Sequence, residues 1–472
     1  MNRIPIHTLL WLVTMLFLSG GWSTAQHSNL PICTAPNEQL FPDIVSDGDR
    51  GAIIAWMDAR NGNRDVFIQR IDAKGKILWK EDGIAICQLP GSQGWPILIP
   101  ISDNNGTIIV WRDSRNGNPD LYAQRIDING TELWEKNGIP ICQNLASQDD
   151  PKAIADGEDG AIVVWEDWRN NRQDLFAQRL NGKGETIWSK DGVAVYDGEG
   201  DQYDPSLTTD QTGGAIFAWW DINTPEWRVF SQRISSDGRK LWSEQGVTVC
   251  EANGNQGGPL VISDGSSGAF IVWSDYRNDP AIFTTSDLYA QRLNANGQRL
   301  WNPDGIAICN QTENQQQPSI AHVNHGIDGI VVTWWDDRDI FSDIYAQWIN
   351  GDGEPMWEKN GLPICTAEGE QRQPKLIRDK SDGTIIYWLD YRGDYGNKAT
   401  SAIYAQRIDK NGRSLWALNG RPICLAEGGQ MTPDAIMIDN TVLIAWSDGR
   451  NGNSYDIDIY ADLIPVTPKI RE

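Results

Sequence analysis

Seven aromatic residues, in irregular segments between residues 221 and 458, are the side chains best suited to bind a ligand. Their segments are also rich in Asp, Asn and Thr. Aromatic faces beside polar groups suit sugars and protein loops, because the ring offers apolar area while its neighbours form hydrogen bonds. We therefore predict a binding surface for a glycan or a protein, formed by Trp227, Tyr276, Phe283, Phe341, Tyr391, Tyr395 and Tyr455.

Acidic residues in the last two of these segments could hold a cation. Asp394, Asp456 and Asp458 offer oxygen ligands of the kind that calcium prefers, although the Asp-x-Asn-x-Asp-Gly order of an EF-hand is absent. His322 and His325 could form a metal pair, but their segment is typical of a strand meeting a turn rather than of a helix. We predict no cofactor, with calcium as the open alternative.

Catalytic motifs are scarce in this sequence. It contains no Gly-x-Ser-x-Gly elbow and no phosphate-binding loop, and its 64 Asp and Glu residues are too many for one pair to stand out as acid and base. We expect a non-enzymatic binding protein. The alternatives are a hydrolase or lyase acting on polysaccharide and, beyond it, a quinone-dependent oxidoreductase.

The candidate residues lie on a repeat that occurs eight times, at intervals of about 54 residues. Its first landmark is Gln-x-x-Pro, and its second is an apolar run that ends in Trp. The Gln residues are Gln39, Gln93, Gln148, Gln202, Gln256, Gln315, Gln371 and Gln430. The Trp residues are Trp56, Trp111, Trp165, Trp219, Trp273, Trp334, Trp388 and Trp446.

Two further landmarks complete the repeat. One is a segment like Leu121-Tyr-Ala-Gln-Arg125, and the other is a turn followed by a second Trp, as at Trp79, which occurs only seven times. Period-2 alternation, β-branched residues and Asn-Gly or Asp-Gly turns predict four strands in each copy. The fold class is therefore all-β, an eight-bladed β-propeller of four-stranded antiparallel blades.

The ends of the chain complement each other. The last copy lacks the strand with the second Trp, whereas Leu30–Cys33 repeats the end of that strand. We expect Leu30–Cys33 to pair with strands within residues 434–464 and close the ring, which would leave no exposed edge. The irregular segments join the same two strands in copies four to eight, so we expect them on one face, in one continuous sector.

Most repeated residues are expected to build the ring. The two Trp positions should pack adjacent blades, and an Asp–Arg pair such as Asp58 and Arg60 should fix a hairpin. The seven Cys share one repeat position, which places neighbours beyond the roughly 7 Å limit for a disulfide, so free buried thiols are expected. The Gln of Gln-x-x-Pro is expected to cap the first strand near the axis, where it could line a polar channel mouth.

The N-terminus and the charge indicate where the protein acts. Residues 1–25 have the apolar run and the small-residue cleavage site of a secretory signal, followed by one propeller domain at 26–464 and a tail at 465–472. We expect a secreted or periplasmic monomer with no membrane span. A net charge of -24 argues against nucleic acid as a partner, because phosphates would be repelled.

One segment resembles a known repeat. Tyr404-Ala-Gln-Arg-Ile-Asp-Lys-Asn-Gly-Arg-Ser-Leu-Trp416 is similar to the repeat of pyrroloquinoline-quinone-type propellers, in which such a segment docks each blade on the next. That family includes eight-bladed alcohol dehydrogenases, which implies the same blade count. Those enzymes also carry an adjacent cysteine pair, which this chain lacks, so the resemblance extends to the fold and not to the cofactor. The chain also resembles exported bacterial propeller repeat proteins.

Overall fold

The structure, a computed structural model, describes residues 29–101, 105–222, 226–279, 285–324, 326–380, 383–392, 400–451 and 456–466. Within these residues the regular secondary structure consists of β-strands, and the strands form eight antiparallel sheets of four strands each. The predicted all-β, eight-bladed propeller is confirmed.

No helix in the described part of the chain is long and apolar enough to cross a membrane. The strands in chain order are β1 (Leu30–Cys33), β2 (Gln39–Ser46), β3 (Ala52–Asp58), β4 (Asp65–Ile71), β5 (Ile84–Cys87), β6 (Gln93–Pro100), β7 (Thr107–Asp113), β8 (Asp120–Ile126), β9 (Ile139–Pro140), β10 (Gln148–Ala155), β11 (Ala161–Asp167), β12 (Asp174–Leu180), β13 (Val193–Tyr196), β14 (Gln202–Thr209), β15 (Ala215–Asp221), β16 (Arg228–Ile234), β17 (Val247–Thr248), β18 (Gln256–Ser263), β19 (Ala269–Asp275), β20 (Asp287–Leu293), β21 (Ile306–Cys309), β22 (Gln315–Asn324), β23 (Asp328–Asp336), β24 (Asp343–Asn350), β25 (Leu362–Cys365), β26 (Gln371–Arg378), β27 (Gly383–Asp390), β28 (Ala402–Asp409), β29 (Arg421–Cys424), β30 (Gln430–Ile438), β31 (Thr441–Asp448) and β32 (Asp458–Pro465).

The two ends of the chain share the eighth blade. Its strand order is β30-β31-β32-β1, and Leu30 of β1 lies opposite Ala461 of β32. The backbone N–H of Gln39 donates to the carbonyl of Ile457 at 2.6 Å, which ties blade one to blade eight. The predicted closure is confirmed, and the incomplete eighth copy becomes a full blade.

The strand register decides which loops share a face of the disc. The first strands of neighbouring blades contact each other, as β2 contacts β6 and β30, and therefore surround the axis. Gln39 lies opposite Asp58, which in turn lies opposite Asp65. The starts of the first strands and the loops between second and third strands therefore share one face, which we call the upper face. The loops between third and fourth strands lie on the opposite, lower face.

Every first strand is bulged at Gln-x-x-Pro. In blade one the pairing with β3 shifts between Leu40 and Asp43, because the intervening proline has no N–H to donate to the sheet. The residue before each proline has a positive φ, an unusual backbone conformation for a residue with a side chain. These bulge residues, with their φ values, are Phe41 (55°), Trp95 (51°), Asp150 (44°), Asp204 (48°), Gly258 (57°), Gln317 (47°), Gln373 (53°) and Thr432 (47°).

The Gln that starts each first strand is fully buried and does not line a channel mouth, so that expectation was wrong. Its amide instead holds the connection that arrives from the previous blade. In blade one, Nε2 of Gln39 donates to the carbonyls of Pro36 and Asn37 at 3.3 and 3.1 Å. A buried backbone carbonyl needs such a partner, which explains why this position is Gln in every copy.

The Trp, Asp and Arg landmarks form one buried anchor in each blade except the fourth. In blade one, Nε1 of Trp56 donates to Asp58 at 2.7 Å, and the guanidinium of Arg60 binds both oxygens of Asp58. Arg60 also donates to Sγ of Cys33 at 3.0 Å and lies 4.0 Å from the ring of Phe67. The hairpin-fixing Asp–Arg pair is thus confirmed, and the thiol adds a contact between blades.

The other landmarks also join each blade to the next. Nε1 of Trp79 in blade one donates to the carbonyl of Ile128 in blade two at 3.2 Å, as the predicted docking role requires. All seven Cys residues are buried and free, as expected. Burial raises the pKa of the Cys87 thiol to about 11, so this sulfur stays protonated and packs as a small apolar group.

Blade four lacks this anchor. Tyr196 occupies the Cys position, and its ring lies 5.7 Å from Trp219 and 6.5 Å from Phe230, on the side that an arginine covers in the other blades. Among the described residues no arginine forms an ion pair with Asp221, and burial raises its pKa to about 6.

We predict that Arg277→Ala lowers the free energy of unfolding by about 3–5 kcal/mol, because it leaves the carboxylate of Asp275 buried without its cation. Asp275 is 0% exposed, and Arg277 binds both of its oxygens, at 2.7 and 2.6 Å. Urea unfolding measures the change. The control is Arg239→Ala, which breaks an exposed pair with Asp237 and should leave stability unchanged. Equal stability of the two variants would contradict the anchor.

Candidate functional site

A concavity of about 730 Å³ opens at the axis on the upper face. It is formed by the first strands of blades one, two, three, seven and eight. A volume of this size lies within the range of about 300–1,000 Å³ that is usual for ligand sites. Its lining includes five bulge residues, namely Phe41, Trp95, Asp150, Gln373 and Thr432. We call this site the axial concavity.

Two aromatic rings stand exposed on its wall. The ring centroids of Phe41 and Trp95 are 6.3 Å apart, and the residues are 38% and 41% exposed. The guanidinium of Arg112 lies 5.2 Å from the Trp95 ring and holds it on one side. The two faces form an apolar platform of a kind that stacks on a ligand ring.

Three pairs of oppositely charged side chains line the concavity. Arg112 pairs with Asp149 at 2.8 Å, Lys152 pairs with Asp150, and Lys375 pairs with Asp434 at 3.1 Å. These pairs neutralise much of each other's charge while still presenting N–H donors and oxygen acceptors. The site is therefore built for polar, uncharged groups rather than for a strongly ionic ligand.

A row of four aromatic residues lies on the same face, in blades four and five. Tyr203 stacks on Trp220 at 4.7 Å, Trp220 meets Trp227 at 5.0 Å, and Trp227 meets Tyr276 edge to face at 6.5 Å. All four are half-buried. We call these residues the aromatic row. The structure brings the predicted Trp227 and Tyr276 together and adds Tyr203 and Trp220, which the sequence reasoning missed.

Carboxylates connect the aromatic row to the axial concavity. Nε1 of Trp220 donates to Asp204, a bulge residue, at 2.6 Å. The backbone N–H of Asp204 donates to Oε1 of Glu166 at 3.1 Å. Glu166 interacts electrostatically with Asp150, which lines the concavity. Polar and aromatic groups thus form one band across the upper face, from Trp95 to Tyr276.

Glu166 can take up or release a proton near neutral pH. Burial raises its pKa to about 7, and the nearby negative charge of Asp150 adds to the effect. A protonated carboxyl can donate a hydrogen bond as well as accept one. Glu166 is therefore the group in this band best placed to give or take a proton.

The other predicted aromatic residues have different positions. Phe341 is half-buried beside Ile340, which is 92% exposed. Tyr391 packs against the apolar core between blades seven and eight, which indicates a structural role. Phe283, Tyr395 and Tyr455 lie outside the described residues, so their part in the site stays a prediction.

The predicted metal ligands form no cluster in the part of the chain that the structure describes, where no three His, Cys, Asp or Glu side chains converge. Asp458 is buried and accepts from Asn451 at 2.7 Å, and burial together with Asp456 raises its pKa to about 6. His322 hydrogen-bonds to Asp328 at 2.6 Å. Asp394 and His325 lie outside the described residues.

Comparisons with known proteins add little about function. No protein-family model matches the sequence. No curated protein matches it either. Among solved structures, the chain is 10% identical to polysaccharide lyase Uly1 over 95% of this chain and 94% of that one, with a TM-score of 0.47. The chain is 10% identical to an oligogalacturonate lyase in complex with manganese, over 91% of this chain and 98% of that one, with a TM-score of 0.43. It is 11% identical to the β-propeller domain of the Trilobed protease from Pyrococcus furiosus, over 81% of this chain and 99% of that one, with a TM-score of 0.43. Scores this low have no bearing on what this chain binds.

We predict that Glu166→Gln removes a pH-dependent loss of stability. The folded-state pKa, about 7, lies above the ordinary value of 4.5, so folding favours the protonated carboxyl. As the pH rises from 4 to 8, the free energy of unfolding of the wild type should therefore fall by about 1–3 kcal/mol more than that of the variant. Urea unfolding at the two pH values measures this difference.

Glu244→Gln is the control, because Glu244 is 86% exposed and should show the wild-type pH profile. Identical profiles for Glu166→Gln and the wild type would contradict the assignment of a proton to Glu166.

Proposed function

We propose that this protein binds a neutral polysaccharide along the band on its upper face. The observation that carries the proposal is the aromatic row, whose four rings lie in contact at the surface beside the axial concavity. Aromatic side chains with one apolar face and a polar edge suit the alternating C–H faces and hydroxyls of sugar rings.

The length of the band favours a chain of sugars over a single sugar. Trp95 lies in blade two and Tyr276 in blade five, and the carboxylates of blades three and four lie between them. A ligand that contacts both ends must therefore cross several blades. Consecutive units of a polysaccharide meet this requirement, with rings on the aromatic platform and hydroxyls at the carboxylates.

The charge distribution favours a neutral glycan. The net charge of -24 repels polyanions, and the cations in the concavity are already paired with Asp residues. Sugar hydroxyls can bind both members of such a pair, because a hydroxyl donates and accepts. A protein loop is the remaining alternative partner.

Secretion of the protein is consistent with this function, because structural polysaccharides lie outside the cytoplasm. The proposal therefore includes residues 1–25 as a secretory signal and the remainder as a secreted or periplasmic monomer. Calcium in the loop that contains Asp456 stays a prediction, to be tested by calorimetric titration.

We predict that Trp220→Ala and Trp95→Ala each weaken polysaccharide binding at least about tenfold, which corresponds to about 1.4 kcal/mol. Each change removes a stacking face while leaving the core anchors in place. Affinity gel electrophoresis with arabinan, galactomannan and mixed-linkage β-glucan measures the dissociation constants. Trp220→Phe should fall between the wild type and Trp220→Ala, because it keeps a ring but loses the bond to Asp204.

The control is Leu415→Ala on the lower face, which removes an exposed apolar side chain of 45% exposure and should bind as the wild type does. Melting temperatures of all variants exclude unfolding as the cause. The proposal is wrong if none of the three polysaccharides slows the migration of the wild type in the gel. It is also wrong if the polysaccharides slow the Trp variants as much as they slow the wild type.

A polysaccharide-cleaving enzyme is the second candidate function. The observation that favours it is Glu166, a carboxyl protonated near neutral pH between two other carboxylates, Asp150 and Asp204. A general acid for glycosidic cleavage needs a pKa raised in this way.

On this second candidate, we predict that the wild type generates reducing ends from one of the three polysaccharides at pH 6. Glu166→Gln should abolish this activity, since an amide cannot protonate the leaving oxygen, and Leu415→Ala should retain it. A reducing-sugar assay measures the rate. No reducing ends from the wild type, or an unchanged rate in Glu166→Gln, would exclude Glu166 as a catalytic acid and leave binding alone.

A further inference from the structure

Two aspartates meet on the wall of the axial concavity and interrupt the repeat there. Asp43 of blade one and Asp434 of blade eight occupy the position after the proline of Gln-x-x-Pro, and both line the concavity. The other six blades have different side chains at this position, in order Ile97, Lys152, Ser206, Leu260, Ser319 and Lys375. An acidic pair on adjacent strands is thus unique to this sector.

Contacts on several sides hold the two carboxyls in place. The backbone N–H of Leu98 donates to Oδ2 of Asp43 at 2.6 Å, and the two carboxyls are hydrogen-bonded to each other. Nζ of Lys375 donates to Oδ1 of Asp434 at 3.1 Å. The hydroxyl of Tyr387, a residue that is 2% exposed, forms a hydrogen bond with the carboxyl of Asp434.

This arrangement assigns one proton to the pair. Two carboxyls in hydrogen-bond contact cannot both ionise at low cost. Burial and the neighbouring Asp434 raise the pKa of Asp43 well above its usual range. Asp43 therefore holds the proton that the pair shares.

The exposed side of the group still has hydrogen-bonding capacity. Lys375 is 50% exposed, and its ammonium has three N–H donors, of which Asp434 takes one. Each carboxyl oxygen can accept more than one bond. Donors and acceptors therefore face the concavity side by side, on the same wall as the Phe41 ring.

We propose that Asp43, Asp434 and Lys375 form a subsite for two adjacent hydroxyls of a neutral sugar, which works only while the pair holds its proton. The proposal rests on the proposed polysaccharide function and names the unit that enters the axial concavity. One hydroxyl accepts from Lys375 and donates to Asp434, and its neighbour bonds to Asp43. Loss of the proton places two anions against each other and separates them, which breaks the subsite.

Other titratable groups near the subsite must be accounted for. Arg112, Asp149, Asp150 and Lys152 line the same concavity, and Tyr387 supports it from the core. Glu166 titrates near neutral pH beyond Asp150. The subsite variants are therefore made with Glu166→Gln as the parent, so that this carboxyl does not contribute to the pH profile, and the wild type is measured beside them.

Affinity gel electrophoresis with arabinan, galactomannan and mixed-linkage β-glucan at pH 5.5 and pH 9 tests the subsite. The parent should bind at least tenfold more tightly at pH 5.5 than at pH 9. Asp43→Asn, which keeps a neutral donor and acceptor at every pH, should bind equally at the two values. Asp434→Asn and Lys375→Met should bind at least tenfold more weakly at pH 5.5.

The failures of the two proposals differ. Trp220→Ala should weaken binding at both pH values without changing their ratio. If no polysaccharide slows the wild type at either pH, the polysaccharide function and the subsite both fail. If the parent is slowed and Trp220→Ala is impaired, but Asp43→Asn keeps the parent's pH ratio or Lys375→Met binds normally, the subsite alone is wrong. Melting temperatures at both pH values verify that each variant is folded.

Discussion

The structure depends on one backbone constraint, the bulge at Gln-x-x-Pro. A buried Gln amide holds the incoming connection, the proline cannot donate to the sheet, and the residue before it has a positive φ. The ring repeats this geometry eight times around the axis. The bulge residue itself varies between blades, and it has no partner in the strand pairing. Phe41, Trp95, Asp150 and Asp204 are three residue types at this one position, and all four contribute to the candidate site.

The anchors beneath the bulge make this variation tolerable. In seven blades a buried Asp binds the indole of one landmark Trp and the guanidinium of an Arg, which in turn contacts a Cys at the edge of the previous blade. A buried ion pair adds little stability by itself, but it is costly to break, so it fixes each hairpin and each blade junction. Blade four replaces this anchor with Tyr196, and the aromatic row begins in that blade. The departure from the repeat and the candidate site coincide there.

Sequence reasoning predicted the architecture well because each copy carries its own evidence. The eight blades, the closure by Leu30–Cys33, the free thiols and the Asp–Arg hairpins all follow from residues that recur in register. The single face for the irregular loops follows from strand order alone, and it placed Trp227 and Tyr276 together. What the sequence could not show is the direction of side chains at a bulge. Period-2 alternation fails where the register shifts.

Tyr203, Trp95 and Asp43 were missed for this reason, since they lie next to the Gln-x-x-Pro landmark. The signal was present as variation within a constant frame: the two residues between Gln and Pro differ from copy to copy. Trp220 was hidden beside the landmark Trp219. Hydroxyl-radical footprinting with mass spectrometry, with and without the polysaccharide that slows the protein in gels, tests the binding band most directly. We predict slower oxidation of Trp95, Trp220, Trp227 and Tyr276 in the presence of the polysaccharide, with Leu300 and Leu415 on the lower face unchanged. Unchanged oxidation of the band, or protection of the two leucines instead, would contradict it.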